Sequence, residues 1–361
     1  MRKALFQVHL IAALIAGLFI VVLALTGSIM AFEEELEHLT HPRLFRVSPQ
    51  GAPLPLATLT ARVIAAFPGK PVVTYGLGVT PDLPWSVNVG GTIVFVNEYT
   101  GEILGTRTGP TWLGQIHQLH LRLLAGDIGK TIVSWADVVM ILLSLSGIYL
   151  WWPIKRVTIN AAAGGRRLWF DVHNAVGVCA FLFVFLLAVT GAVMAFDAWT
   201  TPLLYRVTGS RPAQGGPAVT PTAAQVLTPD EALALARHEL PGAVPVSINV
   251  PAAKTPYRIA LRYPEDRTPG GRSRIFVDQY RGAVLQVESS RTTAAGTRMV
   301  ILNRAIHTGD ILGIPTKILM SLASLAAVAQ AISGLMMWWT RRQSRDRRQL
   351  RVTSAAGPRS G

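Results

Sequence analysis

Four long apolar runs constrain this chain more than any other feature of its sequence. They cover roughly Leu10–Phe32, Val133–Trp152, Val172–Phe196 and Ile314–Trp339. Each run is close to the roughly 20 apolar residues that a helix needs to cross a bilayer core. The whole chain is 50% hydrophobic and 15% charged, which is too apolar for an ordinary soluble protein. We therefore predict an all-α membrane bundle of four helices.

The first run has one feature of a secretory signal, because Arg2 and Lys3 precede it. It is longer than the apolar core of such a signal, and no small-x-small cleavage site precedes Glu33. We therefore expect a retained membrane helix.

The net charge of +14 lies mainly beside the ends of these runs. If four spans alternate across the membrane, one side receives Arg2, Lys3, Lys155, Arg156, Arg166, Arg167, Arg341, Arg342, Arg345, Arg347 and Arg348. Basic residues favour the cytoplasmic side. We predict a multi-pass protein of a bacterial inner membrane with both termini in the cytoplasm, and this charge distribution does not indicate nucleic acid as a partner.

The chain also contains an internal repeat. In one pair of spans a histidine precedes a Thr-Gly pair by 17 residues, and in the other pair a histidine precedes a Ser-Gly pair by 26 residues. The matching sets are His9 with Thr26-Gly27, His173 with Thr190-Gly191, His120 with Ser146-Gly147, and His307 with Ser333-Gly334. This repeat predicts two pseudo-symmetric halves.

The two long segments between spans repeat as well. Leu56–Phe67 and Thr228–Leu240 are predicted amphipathic helices, and strand-like alternation follows each of them. We therefore predict two small α+β domains in the periplasm, joined to the spans by linkers at Ser48–Pro55 and Arg211–Thr222. The predicted boundaries are 1–32, 133–152, 172–196 and 314–340 for the spans, 33–132 and 197–313 for the domains, 153–171 for the cytoplasmic loop and 341–361 for the basic tail.

Three features together resemble the PepSY-associated transmembrane family. They are the spans that carry His9 and His173, the Asx-x-Tyr-x-Gly turns at Asn97–Gly101 and Asp278–Gly282, and the Trp-Trp span ends at 151–152 and 338–339. The resemblance covers nearly the whole chain. It implies PepSY-like domains and, because the family includes ferric-siderophore reductases, an activity linked to haem and iron uptake.

The four repeated histidines form two symmetry-related pairs, His9 with His173 and His120 with His307. Facing histidines on different helices suit axial ligation of a haem iron. Alternatively, each histidine is a hydrogen-bonded polar residue near the membrane surface. His117 competes with His120 as the outer ligand or binds a propionate. The small residues are candidate haem contacts or simple helix contacts; these are Thr26, Gly27, Ser146, Gly147, Thr190, Gly191, Ser333 and Gly334.

The only cysteine, Cys179, cannot form an intramolecular disulfide, and no Cys-x-x-Cys-His motif for c-type haem is present. We therefore expect two b haems. His38, His41 and His238 lack matching partners, and the acidic cluster Glu33–Glu37 is interpreted as a solvated helix end.

These features lead to two functional hypotheses. The first is an inner-membrane di-haem protein that takes electrons from a cytoplasmic donor or a quinol. It would reduce a ferric siderophore or another ferric chelate on the periplasmic side and release Fe(II). The second is a membrane-anchored PepSY module that binds or regulates a partner without redox activity. A transporter component is a weaker third interpretation, because no charged residue lies deep in a span.

Overall fold

The structure is a computed structural model of the chain. It describes residues 1–155, 157–212, 215–222 and 226–355, with side chains as far as residue 344. Arg156, part of the predicted 211–222 linker, the end of the predicted tail, and the side chains of Arg345, Arg347 and Arg348 lie outside the described parts.

The described residues form ten α-helices and eight β-strands. The helices are α1 (Arg2–Met30), α2 (Glu33–Thr40), α3 (Leu56–Ala66), α4 (Trp112–Arg122), α5 (Gly126–Trp151), α6 (Gly165–Ala195), α7 (Asp197–Val207), α8 (Pro229–Glu239), α9 (Ala295–Thr308) and α10 (Ile314–Ala355). The strands are β1 (Val72–Gly76), β2 (Trp85–Val89), β3 (Thr92–Val96), β4 (Ile103–Thr108), β5 (Val244–Asn249), β6 (Tyr257–Arg262), β7 (Ser273–Val277) and β8 (Val284–Glu288).

Four helices are long and apolar enough to span a membrane, as the sequence predicted. The spans lie in α1, α5, α6 and the first part of α10, up to Ser344. Each of the first three helices begins earlier than its apolar run, at Arg2, Gly126 and Gly165. The start of α1 therefore includes His9, and the start of α6 includes His173.

The helical part of the chain is one compact unit that comprises residues 1–32, 112–201 and 303–361. Small side chains let the spans approach closely at its centre, where Ala16, Ala24, Ala323 and Ala327 are buried with Ile20 and Val184. The second and third segments of this unit begin at Trp112 and Asn303. The sequence placed the corresponding boundaries at residues 133 and 314, where the second and fourth spans were predicted to begin. His120 and His307 therefore belong to the helical unit, on short helices that precede spans.

Residues 33–111 and 202–302 form a second compact unit. Its strands make one antiparallel sheet in the order β4-β3-β2-β1-β5-β6-β7-β8. Strand β1 of the first segment pairs with β5 of the second, with Tyr75 opposite Ile248. We predicted a separate domain in each segment, but the two segments share a single sheet.

Helices α3 and α8 cover one face of this sheet. Their apolar residues, among them Leu59, Val63 and Leu233, pack with inward-facing strand residues such as Ile248 and Ile259 in one core. Thr228 and Glu231 form a capping box at the start of α8.

Candidate functional site

The histidines at the start of α1 and α6 each bind a serine of a neighbouring span. His9 Nδ1 lies 2.8 Å from Ser146 Oγ on α5. His173 Nδ1 lies 3.0 Å from Ser333 Oγ on α10. The two contacts join residues that match in the sequence repeat, so the same arrangement occurs in both halves of the chain.

The histidines on the short helices α4 and α9 bind threonines in the same way. His120 Nδ1 lies 2.9 Å from Thr26 Oγ1 and 3.1 Å from the Leu23 carbonyl oxygen. His307 Nδ1 lies 3.0 Å from Thr190 Oγ1 and 3.1 Å from the Leu187 carbonyl oxygen. All four repeated histidines therefore engage the Ser or Thr that the repeat assigns to the other helix pair.

These hydrogen bonds determine which ring nitrogen carries the proton. The hydroxyls of Ser146 and Ser333 donate to carbonyls one turn earlier at 2.6 Å, and those of Thr26 and Thr190 do so at 2.7 Å. Because a hydroxyl has one hydrogen, its oxygen must accept from the imidazole. In each neutral ring Nδ1 therefore donates, and Nε2 keeps the lone pair that a metal ligand requires.

The glycine beside each Ser or Thr makes room for the imidazole ring. A Cβ added to Gly27 or Gly191 would lie 3.1 Å from Cε1 of His120 or His307. At Gly147 and Gly334 the distance to Cε1 of His9 or His173 would be 3.6 Å. The small pairs were predicted to contact a haem or a neighbouring helix, and in the structure they hold and accommodate the histidine rings.

The spacing of His120 and His307 fits one iron between them. Their ring centroids are 6.5 Å apart, and the ring planes are tilted by 53°. A metal–nitrogen bond of about 2 Å, with about 1.2 Å from ring centre to nitrogen, places two opposed imidazoles about 6.4 Å apart between centres. The separation of these two rings is therefore close to that of two imidazoles bound to one metal ion.

His9 and His173 line one cavity of the helical unit. The cavity has a volume of about 130 Å³ and is partly open to the outside. Most of the lining is apolar and includes Ile20, Met140 and Phe181. The cavity therefore combines an apolar lining with two imidazole side chains.

Two polar side chains in this cavity were not predicted. Gln330 Nε2 donates to the His173 carbonyl oxygen at 2.9 Å, and Asn174 Nδ2 donates to the Phe170 carbonyl oxygen at 2.6 Å. The repeat places Leu143 and Leu10 at the matching positions. Both polar residues could have been found from the sequence by aligning the two halves and looking for positions that are apolar in one half and polar in the other.

A carboxylate adds a third difference between the halves. Asp137 Oδ2 would lie 3.0 Å from a Cβ at Gly191, whereas Ser324 is the corresponding neighbour of Gly27. Asp137 was not among the predicted site residues, yet it lies beside Gly191, the glycine next to the His307 ring.

The other candidate residues lie apart from these pairs. His117 lies one turn before His120 on α4, and Arg304 occupies its matching position in the repeat. His38 contacts the ring of Phe45, whereas His41 and His238 are exposed. Within the described residues, no group of three or more His, Cys, Asp or Glu side chains could hold a metal ion.

The comparison with known families agrees with this architecture. The model of the PepSY-associated TM region matches residues 6–341. No curated protein matches the sequence. Because the family match includes all four spans, all four histidines and both segments of the sheet unit, this membrane protein belongs to the PepSY-associated TM family.

Proposed function

We propose that the protein carries electrons across a bacterial inner membrane and reduces a ferric chelate, a ferric siderophore in particular, on the periplasmic side. Two b haems would be its cofactors. Both termini would lie in the cytoplasm, where a protein donor or a membrane quinol supplies electrons. The two halves would be related by an approximate two-fold axis along the membrane normal.

One observation carries the proposal. In each of four histidines, which lie at two levels, Nδ1 donates a hydrogen bond and Nε2 keeps the lone pair that could bind a metal. Along α1, the 17 residues from His9 to Thr26 correspond to about 26 Å. Thr26 binds His120, so the two pairs lie at well-separated levels of the bundle. Redox centres at two levels are what a transmembrane electron path requires.

The residues of this chain would hold and orient the cofactors. His9 and His173 would ligate one iron, and His120 and His307 the other. The Ser and Thr hydroxyls fix the tautomer and the ring orientation, a role that neighbours of metal-bound histidines commonly have. When bound, haem supplies reversible one-electron transfer at its iron.

The substrate class is proposed from the resemblance to ferric-siderophore reductases and from iron chemistry. Hard oxygen donors bind Fe(III) strongly, and the softer Fe(II) ion is held less tightly by the same donors. One-electron reduction therefore releases iron from such a chelate without altering the ligand.

Haem content is the first test. We expect the detergent-purified protein to show two low-spin b haems per chain in oxidised and dithionite-reduced spectra and in a pyridine haemochrome assay. His173→Ala and His307→Ala should each lose about one haem. His238→Ala, which removes an exposed histidine from α8, should retain both.

The reduced protein should then be reoxidised by a ferric chelate, with Fe(II) trapped as a coloured complex. A fully loaded preparation without haem would overturn the redox proposal. That result would favour a PepSY module that binds or regulates a partner.

A further inference from the structure

The sheet unit has one face that α3 and α8 leave uncovered. Side chains alternate between the faces of a strand. Because Tyr75, Val87, Ile248 and Ile259 point into the core with the helices, their strand neighbours point to the opposite face. We call that opposite side of β2, β1, β5 and β6 the open face.

The centre of the open face is shallow because its side chains are small. One row across the four central strands consists of Ser86, Gly76, Ser247 and Ala260, which are paired in that order. A Cβ at Gly76 would lie only 2.5 Å from Ser86 Oγ, so the glycine keeps the row open. Four adjacent strands span about 14 Å, three spacings of about 4.8 Å, which is wide enough for a small-molecule ligand.

We call the shallow strip formed by this row of small residues the trough. Hydrogen-bonding side chains border the trough along the next row of the sheet. Its members are Asn88, Thr74, Asn249 and Arg258, again paired strand to strand. Asn249 Nδ2 lies 3.5 Å from Thr74 Oγ1, and Arg258 is exposed. The trough therefore has amide, hydroxyl and guanidinium groups along one side.

Chain segments cover the two ends of the open face and leave its centre free. Phe95 on β3 is buried beneath Phe45, with ring centroids 5.2 Å apart. Phe276 on β7 is buried beneath the backbone at Gly216, where an added Cβ would lie 3.0 Å from its ring. These segments bound the trough on both sides.

The charge on this face is predominantly positive. Arg107 and Arg274, near its two ends, pair with Glu37 and Glu288 at 2.6 and 3.5 Å. On β6, Arg258 is exposed and has no ion-pair partner among the described residues. An exposed guanidinium without a neighbouring carboxylate can donate two hydrogen bonds to an anion.

We propose that the open face binds the anionic form of the ferric substrate, a chelate whose oxygen donors leave the complex negatively charged. Arg258 contacts its anionic oxygens, and Asn88 and Asn249 hydrogen-bond its polar groups. The glycine-centred row accommodates its bulk. This inference rests on the proposed reductase function, because that function supplies the chelate as substrate.

A redox-inert analogue separates binding from electron transfer. Gallium(III) tris-catecholate has the shape and negative charge of its ferric counterpart but is not reduced under the assay conditions. We expect the full-length protein in detergent to bind it, with affinity that falls as salt rises. Arg258→Gln should weaken binding at least tenfold, and Ser247→Leu, which fills the trough without a charge change, should do the same.

Arg237→Gln is the matched control, because it removes one exposed arginine from α8 on the covered side of the sheet. It should bind like the wild type. Equal affinity in all four proteins, no binding by the wild type, or equally tight binding of a neutral gallium tris-hydroxamate would overturn the inference. Haem content and reoxidation by ferric chelates are measured separately, so the reductase proposal stands or fails on its own data.

Discussion

A hydroxyl group from a neighbouring helix orients each of the four histidine rings. The sequence repeat related each histidine to its symmetry mate, but it did not show that Ser146 binds His9 or that Thr190 binds His307. Those contacts depend on how the spans are arranged side by side, which a single sequence does not specify. The 17-residue spacing does account for the two levels, because each helical residue adds 1.5 Å along the helix axis.

The glycines at the two levels should respond differently to an added methyl group. Gly27→Ala would place Cβ 3.1 Å from the His120 ring, so the ring must move by a few tenths of an ångström. Gly147→Ala would place it 3.6 Å from the His9 ring, an ordinary contact, and alanine favours helix by up to about 1 kcal/mol. If the proposed haems are bound, we expect Gly27→Ala to shift the redox midpoint or reduce the occupancy of the haem at His120, and Gly147→Ala to leave the haem at His9 unchanged.

Spectroelectrochemical titration of both variants would measure this difference. Equal effects at the two levels would contradict the proposed packing of glycine against imidazole.

Glu98 is a buried carboxyl group in the sheet unit that should destabilise it at neutral pH. The residue is 1% exposed, and its Oε2 atom has no hydrogen-bond partner among the described residues. Burial raises the pKa of the Glu98 carboxyl, against the opposing effect of backbone N–H donors. Since the folded pKa exceeds the unfolded one, stability is greatest below the unfolded pKa and falls as pH rises through the folded pKa.

Glu98→Gln removes that charge. It also introduces the residue type found at the corresponding position of the second repeat, Gln279. We expect a higher melting temperature at pH 7–8, by about 2–4 °C if the gain is about 1 kcal/mol, and little difference near pH 4. Thermal unfolding across pH would measure it, with exposed Glu102→Gln as control. A lower melting temperature at neutral pH would show that the carboxylate makes a favourable contact.

At the scale of elements, helix α3 depends on a residue of α8 for its N-terminal cap. Pro55 at its N-cap provides no side-chain hydrogen bond. The Asp230 carboxylate instead accepts from the backbone N–H groups of Leu56 and Ala57 at 2.8 and 2.9 Å. Along the sequence, Asp230 is an acidic residue in the first turn of its own helix. Its contact with α3 follows from the shared sheet, which brings the two helices together.

Asp230→Ala should therefore destabilise the sheet unit by about 0.5–2 kcal/mol, the usual cost of a lost cap. The melting temperature should fall by about 2–4 °C for each kcal/mol lost. Glu239→Ala, at the opposite end of α8, is the control and should have a smaller effect. If both variants melted alike, the capping role of Asp230 would be rejected.

At the scale of the whole molecule, sequence patterning was enough to predict the four spans, helices α3 and α8, and strands after each of these two helices. It was not enough to predict how the segments combine. In the sequence, β1 and β5 each look like a strand of a separate small domain. The structure pairs β1 with β5, with Tyr75 opposite Ile248, so the two segments share one sheet. Similar limits apply to the boundaries, because α4 is a short helix of mixed polarity that resembles a domain helix in sequence.

The pairing of β1 with β5 also constrains how the protein is made. Thr74 and Asn249, which face each other across this seam, are 175 residues apart, and the spans in α5 and α6 lie between them. At about 5–20 residues per second, a ribosome needs roughly 9–35 seconds to synthesise that interval. Throughout this time β1 is an unpaired edge strand, which is a site for association with other chains. Completion of the sheet must therefore wait until both intervening membrane helices and the second segment have been synthesised.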